Sequence, residues 1–259
     1  MDDTVWLQEM GWEEVPSRRE AAGQLVLIPV GSVEQHGRHL PLGTDSMVAI
    51  HVCEEAARKA NVLVTPPLWF GWSPHHLALP GTVSIRAEVL LELLFDVLCS
   101  LSRHGFDRFI VVNGHRIVNV PWIQICAERA QRELGVRVAI FDPAYMSREI
   151  AGELGFGEVG HAEEIETSHM LHLVPGLVHM ERATDYAPPG QRLHYHVDPR
   201  STQDTLCYVP MTARDLERRA PESGGTGGRP TLAVAEKGRR LHEHLVMRLV
   251  EVIEEMRLG

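Results

Sequence analysis

The chain has 259 residues, of which 44% are hydrophobic and 23% are charged. These fractions are typical of a globular protein and exclude the disordered, collagen-like and coiled-coil classes. Its 25 Lys and Arg residues against 35 Asp and Glu residues give a formal net charge of −10. Such a chain repels phosphate backbones on average, so we expect no nucleic-acid partner. The 15 histidines draw attention to metal binding and acid–base chemistry, because histidine serves both at neutral pH.

The sequence shows no pattern of export or membrane insertion. Its N-terminal stretch, MDDTVWLQEMGWEEV, is acidic and lacks the basic-then-apolar pattern of a signal peptide. No uninterrupted apolar run approaches the ~18 residues of a membrane span. The four cysteines form no C-x-x-C pair, which argues against a zinc ribbon or a thioredoxin-like motif. We therefore expect a cytoplasmic protein with no membrane partner.

Four short apolar runs predict β-strands, at residues 25–30, 61–65, 108–112 and 136–141. Each run is almost continuously apolar, as expected for strands that are buried on both faces of a parallel sheet. Segments with helical periodicity lie between them, at 45–59, 86–104 and 118–134. The alternation of strand and helix indicates an α/β fold with right-handed crossovers.

The C-terminal third has a different pattern. Residues 164–173 and 231–257 predict two further helices, the second long and amphipathic with Gly238 as a weak point. Residues 186–210 are rich in Pro, His and turn residues, and the run SGGTGGRP at 223–230 predicts a flexible loop. No linker is long enough to separate two domains, so we expect a single domain over residues 1–259.

The first candidate site follows the first strand, in GSVEQHGRHLPLGTD at 31–45. Parallel α/β sheets bind ligands at the carboxyl ends of their strands. Glu34 and His36 are two residues apart and point the same way from an extended stretch, and Asp45 begins the next helix. Nitrogen and oxygen ligands of this kind suit Zn, Mn or Fe. The alternative is that Glu34 and His36 lie in an ordinary turn while Asp45 caps the helix.

Three further segments contribute candidates to the same edge of the sheet. His115 follows the third strand in VVNGH, after a glycine that frees the backbone. The long loop FGWSPHHLALPGT at 70–82 holds His75 and His76, which we expect to line a binding pocket. His161 precedes a helix with an acidic first turn, in HAEEIETS; such a turn is also ordinary compensation of the helix dipole.

Together, the motifs GSVEQHGRHLPLGTD, LPGTVS, VNGH and HAEEIETS resemble those of the creatininase (creatinine amidohydrolase) family, over about residues 25–185. The resemblance implies a metal-dependent hydrolase with a three-layer, doubly wound, mainly parallel α/β fold that has helices on both faces. It also implies two divalent metal ions per chain, a small-molecule substrate, and a homo-oligomer such as a hexamer. In the family, residues matching Glu34, Asp45 and His115 bind one ion, and residues matching His36 and Asp45 bind the other. Asp45 would therefore bridge the two ions.

The sequence departs from creatininase at several positions. Ile117 stands where creatininase has a glutamate that binds the second ion; our candidate replacement is Glu164, with Glu166 as the competing choice. Gly157 and Glu158 stand where creatininase has a Trp-Asp pair that it uses on creatinine, so we do not expect creatinine as the substrate. Arg116 replaces a glycine of the family. It either binds a substrate carboxylate, phosphate or hydroxyl group or pairs with a neighbouring acid.

The mechanism that the resemblance implies is attack on a carbonyl carbon by a hydroxide held between the two ions. His161 matches the proton-shuttling histidine of the family and would protonate the leaving group. Glu164 could instead act as a base if it is not a ligand. Hydrolysis of a non-peptide C–N bond, in a cyclic amide or formamide, is the leading function. The alternatives are hydrolytic C–C ring opening of a cyclic ketone of the inosose type, and a non-catalytic metal-binding scaffold.

Overall fold

A computed structural model describes residues 4–187 and 193–258. Its strands are β1 (Leu25–Val30), β2 (Leu63–Val64), β3 (Arg108–Asn113) and β4 (Arg137–Phe141). They form one parallel sheet in the order β2-β1-β3-β4. The longer helices are α2 (Thr44–Ala60), α3 (Ala87–Arg103), α4 (Val120–Leu134), α7 (Glu164–Leu173), α8 (Ala213–Ser223) and α9 (Ala235–Leu258). Three shorter ones are α1 (Val15–Ala21), α5 (Pro143–Met146) and α6 (Arg148–Glu153).

Both faces of the sheet are covered by helices, which confirms the predicted α/β architecture. Leu25 and Leu27 of β1 face the layer that contains α2 and α9, whereas Val26 and Ile28 face the layer that contains α3 and α4. All of β1 is therefore buried, as its continuous apolar run predicts.

The strand order places a crevice between β1 and β3. The chain leaves β1 toward β2 on one side and later returns to form β3 on the other side. Such a reversal of strand order leaves a ligand-binding crevice at the carboxyl ends of the two strands. β1 and β3 pair in register from Leu25–Arg108 to Val30–Asn113, so the residues after Val30 and Asn113 begin at the same edge.

The sequence pattern predicts five helices to within a few residues and misses α1, α5, α6 and α8. Helix α8 is mostly polar, buries only Leu216 and Ser223, and contains Pro221, so few apolar residues mark it in the sequence. Helix α1 buries none of its residues. Residues 188–192 of the irregular segment 186–210 lie outside the described residues. In the part of the chain that is described, no helix combines the length and apolarity needed to cross a bilayer.

Gly238 is needed for the packing of α9, although a glycine within a helix predicts a weak point in that helix. A Cβ atom at Gly238 would lie 1.8 Å from the backbone oxygen of Ser168 in α7. The absence of a side chain is therefore what allows α7 and α9 to approach closely. Because α7 contributes to the candidate site described below, this contact also fixes one wall of the site.

We expect Gly238→Ala to lower the free energy of unfolding by about 1–3 kcal/mol, the usual range for overpacking. In an ordinary helix the same change stabilises by up to ~1 kcal/mol, because alanine has the higher helix propensity. Gly152 in α6 is a matched control, since a Cβ there meets nothing within 4 Å. Urea unfolding of both variants checks the prediction. Equal effects at the two positions would contradict it.

Candidate metal centre

Two glycines bring the first turn of α2 against the ends of β1 and β3. A Cβ atom at Gly31 would lie 2.2 Å from Ser46 Oγ, and one at Gly114 would lie 1.9 Å from the backbone oxygen of Asp45. Only a residue without a side chain permits these approaches. As a result, the Asp45 side chain lies between groups that follow β1 and groups that follow β3.

One set of potential ligands joins Glu34, Asp45 and His115. Asp45 Oδ2 lies 3.0 Å from His115 Nδ1, and Glu34 Oε2 lies 3.3 Å from His115 Nε2. Ser32 Oγ donates a 3.0 Å hydrogen bond to Glu34 Oε2 and so fixes that carboxylate. One ligand atom from each of the three residues lies within 4.8 Å of the others, and all three residues are buried.

A second set joins His36, Asp45 and Glu166. His36 Nε2 lies 3.1 Å from Asp45 Oδ1 and 3.9 Å from Glu166 Oε2. His36 Nδ1 donates to the backbone oxygen of Glu34 at 3.1 Å, which directs Nε2 toward the carboxylates. A hydrogen bond of this kind is typical of histidines that bind metals. Asp45 belongs to both sets, with one oxygen facing each.

The donors present fit divalent cations. Glu34 Oε1 and Asp45 Oδ2 are buried and accept no hydrogen bond from the described residues. Burying a carboxylate oxygen that accepts no hydrogen bond is unfavourable, and a cation would satisfy it. Imidazole and carboxylate together suit Zn, Mn or Fe. A third overlapping set contains Glu34, His36 and His161.

The buried charges shift the pKa values of both candidate histidine ligands upward. Burial alone would lower the pKa of His36, but Asp45, Glu166 and Glu34 outweigh it and raise the pKa to about 10. Burial opposes the same change at His115, where Glu34 and Asp45 raise the pKa to about 9. At Glu34, burial is the largest influence and raises the pKa to about 6. The carboxylates therefore favour positive charge at this centre.

The structure does not bring Glu164, the preferred candidate for a ligand, into either set. Glu164 Oε1 accepts a 2.6 Å hydrogen bond from Lys237 Nζ, and its Oε2 accepts one of 3.1 Å from the Gly157 backbone. Glu166, the competing choice, faces His36 instead. The two glutamates are two residues apart at the start of α7, so they point roughly 200° apart around the helix.

Arg116 pairs with neighbouring acids, which is the second of its two predicted roles. Its Nη2 donates to both carboxylate oxygens of Glu163 at 3.1 Å and also contacts Glu166 Oε1. The sequence reading missed Glu163 as part of this group. An arginine directly after a ligand histidine, with two glutamates at the start of a nearby helix, is the signal that could have indicated it.

His161, His75 and His76 lie together beside Glu34. The ring centroid of His76 is 4.3 Å from that of His161 and 3.9 Å from that of His75. His76 Nε2 lies 3.2 Å from Glu34 Oε1, and His161 Nδ1 lies 3.8 Å from the same oxygen. All three predicted histidines are therefore close to the centre, with His76 as part of its wall.

Gln35 connects this wall to the segment 223–230, and sequence reasoning missed both. The Gln35 side-chain amide donates to His76 Nδ1 at 2.8 Å and to the backbone oxygen of Gly225 at 3.1 Å. Residues 223–226 are buried. The backbone of Gly227 pairs with that of His161. The segment predicted as a flexible loop by composition is thus packed against the candidate site, because its glycines permit a close approach.

The sequence profile of the creatininase family, described as creatinine amidohydrolase, matches residues 8–253. The chain belongs to the creatininase family. Creatinine amidohydrolase of Pseudomonas putida is 30% identical, over 98% of this chain and 98% of its own length. A 3-dehydro-scyllo-inosose hydrolase of Thermotoga maritima is 31% identical, over 97% of this chain and 83% of its own. A mycofactocin precursor peptide peptidase of Mycobacterium ulcerans is 32% identical over 85% of this chain and 81% of its own.

Solved structures of the creatininase family share the fold. A crystal structure of creatinine amidohydrolase superimposes with a TM-score of 0.82 at 27% identity and covers 98% of both chains. A creatininase structure in a manganese form gives a TM-score of 0.76 at 28% identity, with 98% of both chains covered. The family and the three-layer fold that the sequence motifs predicted are confirmed.

We expect metal binding to release about two protons per chain at pH 7.5, because His36 and His115 must lose their protons to bind cations. Their pKa values of about 10 and 9 make both histidines positively charged in the metal-free protein. The apparent affinity should therefore increase as pH rises from 6 to 9. Calorimetric titrations in buffers of different ionisation enthalpy measure the proton release. A value near zero would show that these histidines are not ligands.

Proposed function

We propose that this member of the creatininase family is a hydrolase that requires two divalent ions per chain, of Zn, Mn or Fe. The observation that carries the proposal is that the two carboxylate oxygens of Asp45 face two different sets of ligand atoms. In this proposal, Glu34 and His115 complete one set, and His36 and Glu166 complete the other. Divalent ions held by these residues would activate a water molecule for attack at neutral pH and would polarise a carbonyl group.

His161 is the proposed proton carrier. Its Nε2 donates to the backbone oxygen of Gln35 at 2.7 Å, so Nδ1 is the basic atom. That atom faces Glu34 Oε1, and the side chain is 23% exposed, which gives it access to a substrate at the edge of the site. Burial, and then the charge of His36, lower the pKa of His161 to about 3. The imidazole is therefore neutral at neutral pH, and once protonated at Nδ1 it would be a strong acid that gives its proton readily to the leaving group.

The proposed reaction is hydrolysis of a non-peptide C–N bond in a cyclic amide or a formamide. The amidohydrolase of Pseudomonas putida supports this class. In this proposal, His161 at the edge of the site would protonate the leaving nitrogen. Ring opening of a cyclic ketone is a second candidate, supported by the inosose hydrolase of Thermotoga maritima. Creatinine itself is not the proposed substrate, because Gly157 and Glu158 stand where creatininase has its Trp-Asp pair. In either case, His75 and His76 would form part of the pocket wall.

We expect Glu166→Gln to lower the metal content from two ions toward one per chain, because it removes the carboxylate charge from the second set. Glu164→Gln is the matched control, and it should keep two ions because Glu164 pairs with Lys237. Metal analysis by mass spectrometry after dialysis measures both variants. The reverse result, with loss of an ion only in Glu164→Gln, would assign the ligand to Glu164.

Removal of metal by a chelator should abolish hydrolysis, and Asp45→Asn should do so as well, by weakening both sets at once. A screen of cyclic amides, formamides and cyclic ketones then separates the reaction classes. Release of an amine identifies C–N cleavage, whereas formation of an acid alone identifies ketone cleavage. Full activity of metal-free protein would refute the mechanism. Bound metal without turnover of any of these compounds would favour a non-catalytic scaffold.

Three further expectations accompany this proposal and rest on the sequence. They are a single domain over residues 1–259, a homo-oligomeric assembly such as a hexamer, and a cytoplasmic location. Sedimentation measurements on the purified full chain would establish the number of subunits.

A further inference from the structure

Arg116 holds two glutamates at the edge of the candidate centre. The side chain of Arg116 is 10% exposed, and that of Glu163 is 1% exposed. Its guanidinium donates to both oxygens of Glu163 and contacts Glu166 Oε1. Two buried carboxylates repel each other unless a positive charge lies between them. Among the described residues, Arg116 is the cation whose ion pairs join Glu163 and Glu166.

The other oxygen of Glu166 is thereby turned toward His36. Glu166 Oε2 accepts a 2.6 Å hydrogen bond from the backbone nitrogen of Ala162 and lies 3.9 Å from His36 Nε2. Arg116 thus binds one oxygen of the Glu166 carboxylate, and the backbone nitrogen of Ala162 binds the other. This arrangement fixes Oε2, the oxygen that Glu166 contributes to the second set of ligand atoms.

The turn after His115 directs Arg116 toward α7. Ile117 has a φ of 68°, a left-handed conformation that β-branched residues rarely adopt. Its backbone nitrogen donates to Asp142 Oδ2 at 2.7 Å, and Asn113 Nδ2 donates to the same oxygen at 2.8 Å. The turn is therefore tied to Asp142, with Arg116 directed toward α7. Residues 116–119 of this turn include no acid, whereas Glu166 of α7 lies beside His36.

We propose that Arg116 is a positioning residue that holds Glu166 as the carboxylate ligand of the second ion. The inference rests on the proposed two-ion function and deepens it. Glu163 accepts two hydrogen bonds from Arg116 and so orients the guanidinium toward Glu166. The same contacts occupy Arg116, which is then not a substrate-binding group.

The test titrates Mn²⁺ or Zn²⁺ into metal-stripped full-length protein. We expect Arg116→Met to leave the affinity for the first ion unchanged and to weaken the second ion 10–100-fold, as is usual when a partner of a metal ligand is lost. Arg116→Lys should restore part of this affinity, since it keeps the charge but not the planar fork. Arg132→Met is a control, because Arg132 is 61% exposed and pairs with Glu128 on α4. With Mn²⁺, the spin-coupled signal of two neighbouring ions should give way to a single-ion spectrum in Arg116→Met.

A double-mutant comparison shows whether Arg116 acts through Glu166. In a Glu166→Gln background, Arg116→Met should weaken the second ion by less than about twofold, because the ligand is already altered. Independent effects that multiply would overturn the inference. Equal weakening of both ions would also overturn it, since that result would assign Arg116 to general support of the site.

The outcomes separate this inference from the proposed function. Wild-type protein that binds no divalent ion would overturn both. Wild-type protein with two ions, together with unchanged affinities in Arg116→Met, would overturn the role of Arg116 alone. If Arg116→Met does not fold, as judged by circular dichroism, Arg116→Lys carries the test. A second-ion affinity in Arg116→Lys that equals that of the wild type would then contradict the need for the guanidinium fork.

Discussion

The close approach of α2 to the ends of β1 and β3 is the constraint on which the whole site depends. Gly31 and Gly114 have no side chains to separate the first turn of α2 from the two strands. Asp45 can therefore reach the residues that follow both strands. The reversal of strand order at β1 creates the crevice, and the glycines determine which carboxylate enters it. A side chain at either glycine would push the first turn of α2, and Asp45 with it, away from the two strands.

The charges around Asp45 indicate what the centre binds. The centre contains four buried carboxylates, those of Glu34, Asp45, Glu163 and Glu166, and one guanidinium, that of Arg116, which pairs with the last two. Four negative charges against one positive charge leave an excess of three, which two divalent cations would offset to within one charge. The raised pKa values of His36 and His115 have the same origin, because protons offset part of this excess in the absence of cations. A site with this excess of carboxylate favours cations over anionic groups.

Much of the centre could be predicted because its residues lie in short segments next to predicted strands. Glu34, His36, Asp45 and His115 follow two apolar runs whose carboxyl ends meet at one edge of a parallel sheet. The choice between Glu164 and Glu166 could not be made in this way. It depends on how α7 is rotated about its axis, and that rotation is set by contacts with α9, including the approach at Gly238.

Long-range packing also explains two features that the sequence did not indicate. The composition of 223–230 predicts flexibility, yet its glycines allow the chain to pack against Gln35 and His161. Composition indicates which conformations the backbone could adopt in isolation. In the folded chain, packing against neighbouring residues determines which conformation it has. Arg116 is a similar case, since its partners lie 47 and 50 residues away in sequence and only the fold brings them together.

The most direct test of the account is a crystal structure of metal-loaded protein with anomalous data collected at the absorption edge of the metal. The account predicts two anomalous peaks per chain, about 3.5–4 Å apart, as in other two-metal sites. The carboxylate of Asp45 should lie between them, with Glu166 on one ion and Glu164 still paired with Lys237. A single peak, or two peaks that do not share Asp45, would contradict the central claim.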